Sequence, residues 1–304
     1  MSAKTETISV ANHRTKVIHG FIYAFLIILA LIYLLPLAWV VVTSLKDDTV
    51  IMTSPWALPE KVMFENYTYA WTMGQMGKAL LNSLIVSTAT LILSMIIGAM
   101  AAFAIAKLQW KLSRLTLLYF MIGMMIPIHC LLIPLFVEFS NMPLLNSILV
   151  DHLHLFSEKL SLKDTRIGLI IPYVTFSLPI TIYIMVGFFE SIPNELFEAA
   201  VIDGCSVPHM FVTVAIPMAR TGFMVTGLMS FVNNWNELLV ALVFLTKEEL
   251  KTLPLALSKF VGPYHTNYTQ MFAAIMIAVI PTIIVYVLFA NQIVDGLTAG
   301  AVKG

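Results

Sequence analysis

Six stretches of the chain, 21–42, 79–106, 115–137, 167–189, 221–245 and 271–290, are apolar and long enough to cross a bilayer as helices. A hydrocarbon core about 30 Å thick takes roughly 20 residues of α-helix. Unpaired backbone groups are too costly inside it for open strands. Five of the six stretches lack Asp, Glu, Lys and Arg, and the exception, 221–245, holds only Glu237. No stretch alternates with period two, which argues against a membrane barrel. The expected fold is therefore an all-α membrane protein with six transmembrane helices. Charged residues make up 11% of the 304, against about 25% in soluble domains, which weighs against a water-solvated globule.

The first 20 residues are polar, and the 22-residue run after them exceeds the usual h-region of a signal peptide, about 7–15 residues. Residues 21–42 are read as a retained anchor in membrane lipid. An even number of spans puts both termini on one side. Lys and Arg divide almost evenly between the two faces, so the positive-inside rule rests on the tight cluster Lys107, Lys111 and Arg114, which selects cytoplasmic termini. The expected organisation is a cytoplasmic tail at 1–20, a first helix at 21–42, an extracytoplasmic loop at 43–78, a five-helix unit at 79–292 and a cytoplasmic tail at 293–304. Cys130 and Cys205 fall in different segments, so free thiols are expected rather than a disulfide. The net charge of zero gives no support to a nucleic-acid partner.

Between the fourth and fifth apolar runs lies a polar insert, 190–217. Ser191, Pro193 and Asn194 supply helix-start chemistry, and Glu195 and Glu198 suit the positive end of a helix dipole. Two to three turns then run to Asp203 and stop at Gly204, a residue that tolerates a left-handed backbone. Ser206 and Pro208 start a second short helix, which Pro217 ends. The small Ala199 and Ala200 leave one surface open to close approach. A helical hairpin with no partner is an equally good reading of these features alone.

The spacing Glu198-Ala199-Ala200, three residues, Gly204, nine residues, Val214-x-Ile216-Pro217 resembles the signature of membrane-spanning permease subunits of bacterial ABC importers. Phe231 to Glu237, Lys251-Thr252-Leu253-Pro254 and the ending Gly296 to Gly304 are similar to the carbohydrate branch, which includes the maltose-transporter permeases. The resemblance implies a type I ABC importer transmembrane fold over 79–292, with 190–217 as the coupling segment. Glu198, Ala199, Ala200, Asp203 and Gly204 would dock on a cytoplasmic ATPase. It further implies a second homologous permease chain, two ATP-binding subunits, an extracytoplasmic solute-binding protein, a carbohydrate substrate and a bacterial inner-membrane location. The polar segment 150–166 is longer than the family's usual connection.

Within the fifth run, Thr226, Ser230, Asn233 and Glu237 share an arc of roughly 60° at about 100° per residue. A carboxylate at membrane depth is expensive and should face water, solute or another helix. Asn233, Asn236 and Glu237 are therefore candidates for lining or gating a pathway, with interhelical bonding as the plainer alternative. The small residues Ser83, Ser87, Thr90, Ser94 and Gly98 also share one face, where packing is the favoured reading. His129 is expected to be a hydrogen-bonded structural histidine. No phosphate-binding loop, zinc motif or nucleophile elbow occurs, so no cofactor, metal or catalytic residue is expected and ATP hydrolysis belongs to another chain. The rival function is an autonomous ion-coupled carrier using Glu237. An intramembrane enzyme using His129 and Glu237 is a remote third reading.

Overall fold

The computed structural model describes residues 2–108, 110–143, 146, 160–262 and 267–301, with side chains described between 18 and 290. Most of the 150–166 segment, including His152 and His154, lies outside the described residues. Helix α1 spans Ser2–Ser44, and its apolar part, Ile18–Ser44, is exposed along almost its whole length. Two short helices follow, α2 (Asp48–Thr53) and α3 (Glu65–Thr72), within the region expected as a loop. Helix α4 is Met76–Lys107 and α7 is Arg166–Glu190. After the short α13 (Leu253–Leu257), helix α14 is Tyr268–Ala301, so helix continues into the region expected as a C-terminal tail.

Two apolar runs are not continuous helices. The third breaks at Pro127 into α5 (Ser113–Met124) and α6 (Ile128–Asn141), bent by 93°. Proline cannot donate to the preceding turn, and its ring forces the residue before it out of the helical region. The fifth run ends as helix α11 (Arg220–Trp235), then resumes as the short α12 (Leu239–Phe244). Among the described residues four helices are long and apolar enough to span, or up to six if α5 with α6, and Val207–Met218 with α11, each count as one bent span.

The centre of the bundle is the α4–α7 pair. Ser83, Ser87, Thr90, Ser94 and Gly98 are all buried, as packing requires. A Cβ at Gly98 would come within 2.6 Å of Thr181 Cγ2, so the helices approach as closely as glycine permits. Helix α11 packs on α4, α7 and α14. The second halves of the broken runs pack on one another, with Phe244 of α12 edge-on to Phe136 and Phe139 of α6 at 6.0 and 5.6 Å.

The ends of the bundle differ. At one end the 44–76 segment ties α1 to α14. Asn66 Nδ2 donates to the carbonyls of Ser44 and Lys46 at 2.9 and 2.8 Å, and the Tyr268 N–H donates to Asp48 at 2.9 Å. At this same end Asn82 of α4 donates to the carbonyls of Glu249 and Lys251 at 2.8 and 3.1 Å. The opposite end carries the tip of α4 and the polar hairpin.

Candidate functional site

The hairpin begins where α7 ends. Helix α8 covers Asn194–Ile202, with Pro193 at its N-cap. Ser191 does not cap it; its hydroxyl donates to the Phe188 carbonyl at 2.7 Å. The acidic Glu195 sits in the first turn, where the dipole favours it.

The C-terminus of α8 shows why its motif has the spacing it does. Gly204 has φ +79°, the left-handed region that glycine enters without penalty. Its N–H donates to the Val201 carbonyl at 3.0 Å, and the Cys205 N–H reaches back to the Ala200 carbonyl at 2.9 Å. Those two bonds form a Schellman motif and satisfy carbonyls that a helix end otherwise leaves free. Ala200 and Cys205 both pack against the core cluster, giving the apolar contact that accompanies such an end. Ala200 and Gly204, four residues apart, are thus the C3 and C′ positions of one cap.

Beyond the turn, α9 (Val207–Met210) leads through a π-helical segment, Phe211–Ala215, into α10 (Ile216–Met218). Ser206 makes no side-chain cap bond at the start of α9. Pro217 does not end the hairpin. Helix continues past it to Met218, and the chain turns by 81° at Ala219 into α11.

The structure brings Glu198, Ala199, Asp203 and Gly204 together on one exposed surface, with Ala200 half-buried behind them. Two residues outside the sequence motif complete that surface. Ile202 is 86% exposed and Val201 60% exposed, side by side at the helix end. A cavity of about 500 Å³ opens next to them, lined among others by Lys107, Phe197, Glu198, Ile202 and Val207. The inner face of α8 is anchored: Phe197 is buried and packs on Phe103 of α4 at 5.9 Å. Such an element presents an apolar and acidic outer face on a stem joined to the bundle core.

The polar residues of the fifth run divide differently from their helical arc. Thr226 and Ser230 are buried, but Asn233 is exposed and Asn234 is the buried asparagine. Asn234 accepts from Ser177 at 3.2 Å and donates to Ser230 at 3.3 Å, linking α7 to α11. Glu237 lies past the end of α11, so the arc that placed it beside Asn233 does not apply. Its carboxylate accepts from the Tyr173 hydroxyl at 2.5 Å and from the N–H groups of Val240 and Ala241 at 2.9 and 3.3 Å. Asn236 is exposed at the break. His129, expected to be a hydrogen-bonded structural residue, is exposed on the first turn of α6. Among the described residues no cluster of three or more His, Cys, Asp or Glu has the arrangement of a metal site.

Comparison with known proteins bears on the same features. The chain is 34% identical to the diacetylchitobiose uptake system permease protein NgcG of Streptomyces coelicolor, covering 92% of this chain and 88% of that one. It is 32% identical to the trehalose/maltose transport system permease protein MalG of Thermococcus litoralis, covering 91% and 94%. A crystal structure of a bacterial ABC transporter involved in import of the acidic polysaccharide alginate contains a chain of the same fold. It matches with a TM-score of 0.72 at 23% identity, over 91% of this chain and 97% of that one. Residues 94–298, which include the whole hairpin and both halves of the fifth run, match one family along their length, and the chain belongs to it: the inner membrane components of binding-protein-dependent transport systems.

Proposed function

We propose that this chain is one of two related permease subunits of an ATP-driven importer for a sugar or oligosaccharide. In this reading it docks on a cytoplasmic ATPase through the hairpin 190–217. The observation that carries the docking assignment is the bare apolar shoulder, Val201 and Ile202, on a capped and core-anchored helix end. The two side chains are adjacent and border the cavity lined by Phe197, Glu198 and Val207, so together they offer a partner protein an apolar contact. The carbohydrate assignment rests on relatives that carry diacetylchitobiose, trehalose and maltose in their names.

Two ATPase subunits would grip the hairpins of the two permeases, and a solute-binding protein would deliver cargo at the opposite, extracytoplasmic face. Both termini would then be cytoplasmic. ATP can drive the cycle only because each permease conformation binds these partners differently. Asn233 and Asn236, exposed near the break in the fifth run, are the residues assigned to the pathway. Glu237 belongs beside them as the anchor of that break. An autonomous carrier using Glu237 is not favoured, because three protein donors already occupy its carboxylate.

The test is co-purification from native cells with an Ala199→Trp variant. Ala199 is exposed and lies on the docking face, so the added indole leaves the core and the Gly204 turn intact. The wild-type chain is expected to bring down a second permease and an ATPase, and the variant to lose the ATPase alone. Retention of the ATPase by the variant at wild-type yield would refute the docking assignment.

A further inference from the structure

We infer that Lys107 is a positioning residue: a strut that locks the docking helix α8 to the cytoplasmic end of α4, so that the two move as one body. The inference rests on the docking role proposed for α8 and adds the route by which its motion enters the membrane.

Lys107 is the last residue of α4, and its ammonium reaches across the joint between α7 and α8. Nζ donates to the Ile192 carbonyl at 2.7 Å and to Asn194 Oδ1 at 2.7 Å, and lies 5.1 Å from the centroid of the Phe197 ring. These three partners lie within the Ser191–Pro193 turn and just beyond it. Ile192 belongs to the turn itself, whereas Asn194 and Phe197 belong to the first turns of α8. A compact ammonium with three donors suits such a multi-point attachment.

Its position is not explained by helix stability. A cation favours a helix C-terminus, which Lys107 has in α4, but is unfavourable at the N-terminus of α8 where its head group sits. Glu190 and Glu195 supply compensating negative charge nearby. One turn earlier on the same helix, Phe103 packs against Phe189, Phe197 and Phe211 at 5.8, 5.9 and 5.3 Å. The end of α4 therefore holds α8 at two levels, an aromatic cluster inside and a cationic clasp at the rim. Without the clasp, the 191–193 turn can absorb displacement of α8. With it, displacement passes to a 32-residue helix that reaches the far side of the bundle.

The experiment uses the intact importer purified in lipid nanodiscs, with Cys130 and Cys205 replaced by alanine. Spin labels go at Leu81 and Leu196, both exposed and near opposite ends of the α4–α8 unit. Pulsed electron resonance compares the nucleotide-free state with the ATP–vanadate state. In the wild type the label distance is expected to hold within about 2 Å between states. In Lys107→Met, which keeps the apolar stem but loses the donors, it should shift by about 5 Å, on the order of one helical turn. Lys107→Arg should restore the wild-type behaviour, because it keeps the charge and the ring contact. An unchanged distance in Lys107→Met, or a shift of that size in the wild type, overturns the strut. Loss of the ATPase from Lys107→Met alone also overturns it and makes Lys107 part of the docking surface. If the wild-type chain brings no ATPase, the docking proposal itself fails, and that is read from the purification before any distance is measured.

Discussion

At Glu237 a single carboxylate holds together a broken helix. The Tyr173 hydroxyl from α7 and two N–H groups from the first turn of α12 all converge on it. A carboxylate accepting such bonds caps the start of α12 from the residues just before it, and removing it strands three donors away from bulk water. Glu237→Ala is expected to destabilise the protein by about 1–3 kcal/mol. Glu237→Gln should cost less, because an amide oxygen still accepts from Tyr173. Thermal unfolding of the detergent-solubilised importer checks the order: equal melting temperatures for wild type and Glu237→Ala would sink the anchoring role. Sequence reasoning reached the correct demand, that this charge needs partners, and the wrong geometry. The 100° arc assumed a helix that continues past Asn236. Asn233, Asn234 and Asn236 crowd four positions, and short polar side chains that compete for backbone bonds favour helix ends. That cluster was the available signal for the break.

The elements were legible to the degree that their cause is local. The stop of α8 at Gly204 could be read directly, because a Schellman end is written in one glycine and a four-residue interval. The helix start was less legible: Ser191 has cap chemistry, but its hydroxyl bonds back to Phe188. The Lys107 clasp was invisible, since it joins residues 85 and 87 positions apart. A similar long-range tie fixes the start of α7. Thr165 caps that helix by accepting from the Gly168 N–H at 2.9 Å, and the adjacent Asp164 binds the segment after α12. Its carboxylate accepts from the Thr246 N–H and hydroxyl at 2.5 and 2.6 Å and from the Lys247 N–H at 3.0 Å. Partial burial works to raise the Asp164 pKa. The bonds from Thr246 and Lys247, with the charge of Lys163, outweigh it and hold the carboxyl below the usual range. A group whose folded pKa is depressed stabilises the fold above its unfolded value and loses that contribution as pH falls through the folded one. Asp164→Asn should therefore weaken hydrogen-exchange protection of the Thr246 and Lys247 amides at neutral pH. Variant and wild type should converge only as the pH falls through the depressed folded-state value, which lies below that of an ordinary aspartate. The substitution tolerates the positive φ of 53° at this position, so backbone strain does not confuse the comparison. Equal protection at neutral pH would show that the carboxylate charge contributes nothing to the tie.

At the scale of the whole molecule, the sidedness that charge counting left nearly balanced follows from which contacts share an end. The tip of α4 meets α8 through Lys107, while the start of α4 meets the 249–251 segment through Asn82. Helix α1 meets α14 at the same end as that segment, with Trp39 edge-on to Phe272 at 5.4 Å and Asp48 receiving the Tyr268 N–H. Both helices then run away from it, α1 toward its N-terminus and α14 toward its C-terminus, to the end where the hairpin lies. On these contacts the outer ends of α1 and α14 are expected on the same side of the membrane as the hairpin. Single cysteines at Asp203 and Glu249, both exposed, test this in cells with Cys130 and Cys205 removed. A membrane-impermeant maleimide added outside should label Glu249→Cys in spheroplasts, and Asp203→Cys only after permeabilisation. His19→Cys, at the start of the apolar part of α1, should behave as Asp203→Cys does. If His19→Cys instead labels with Glu249→Cys, α1 runs opposite to the direction its contacts require. Labelling of Asp203→Cys from outside would put the hairpin beyond reach of any cytoplasmic ATPase and remove the basis of the docking assignment.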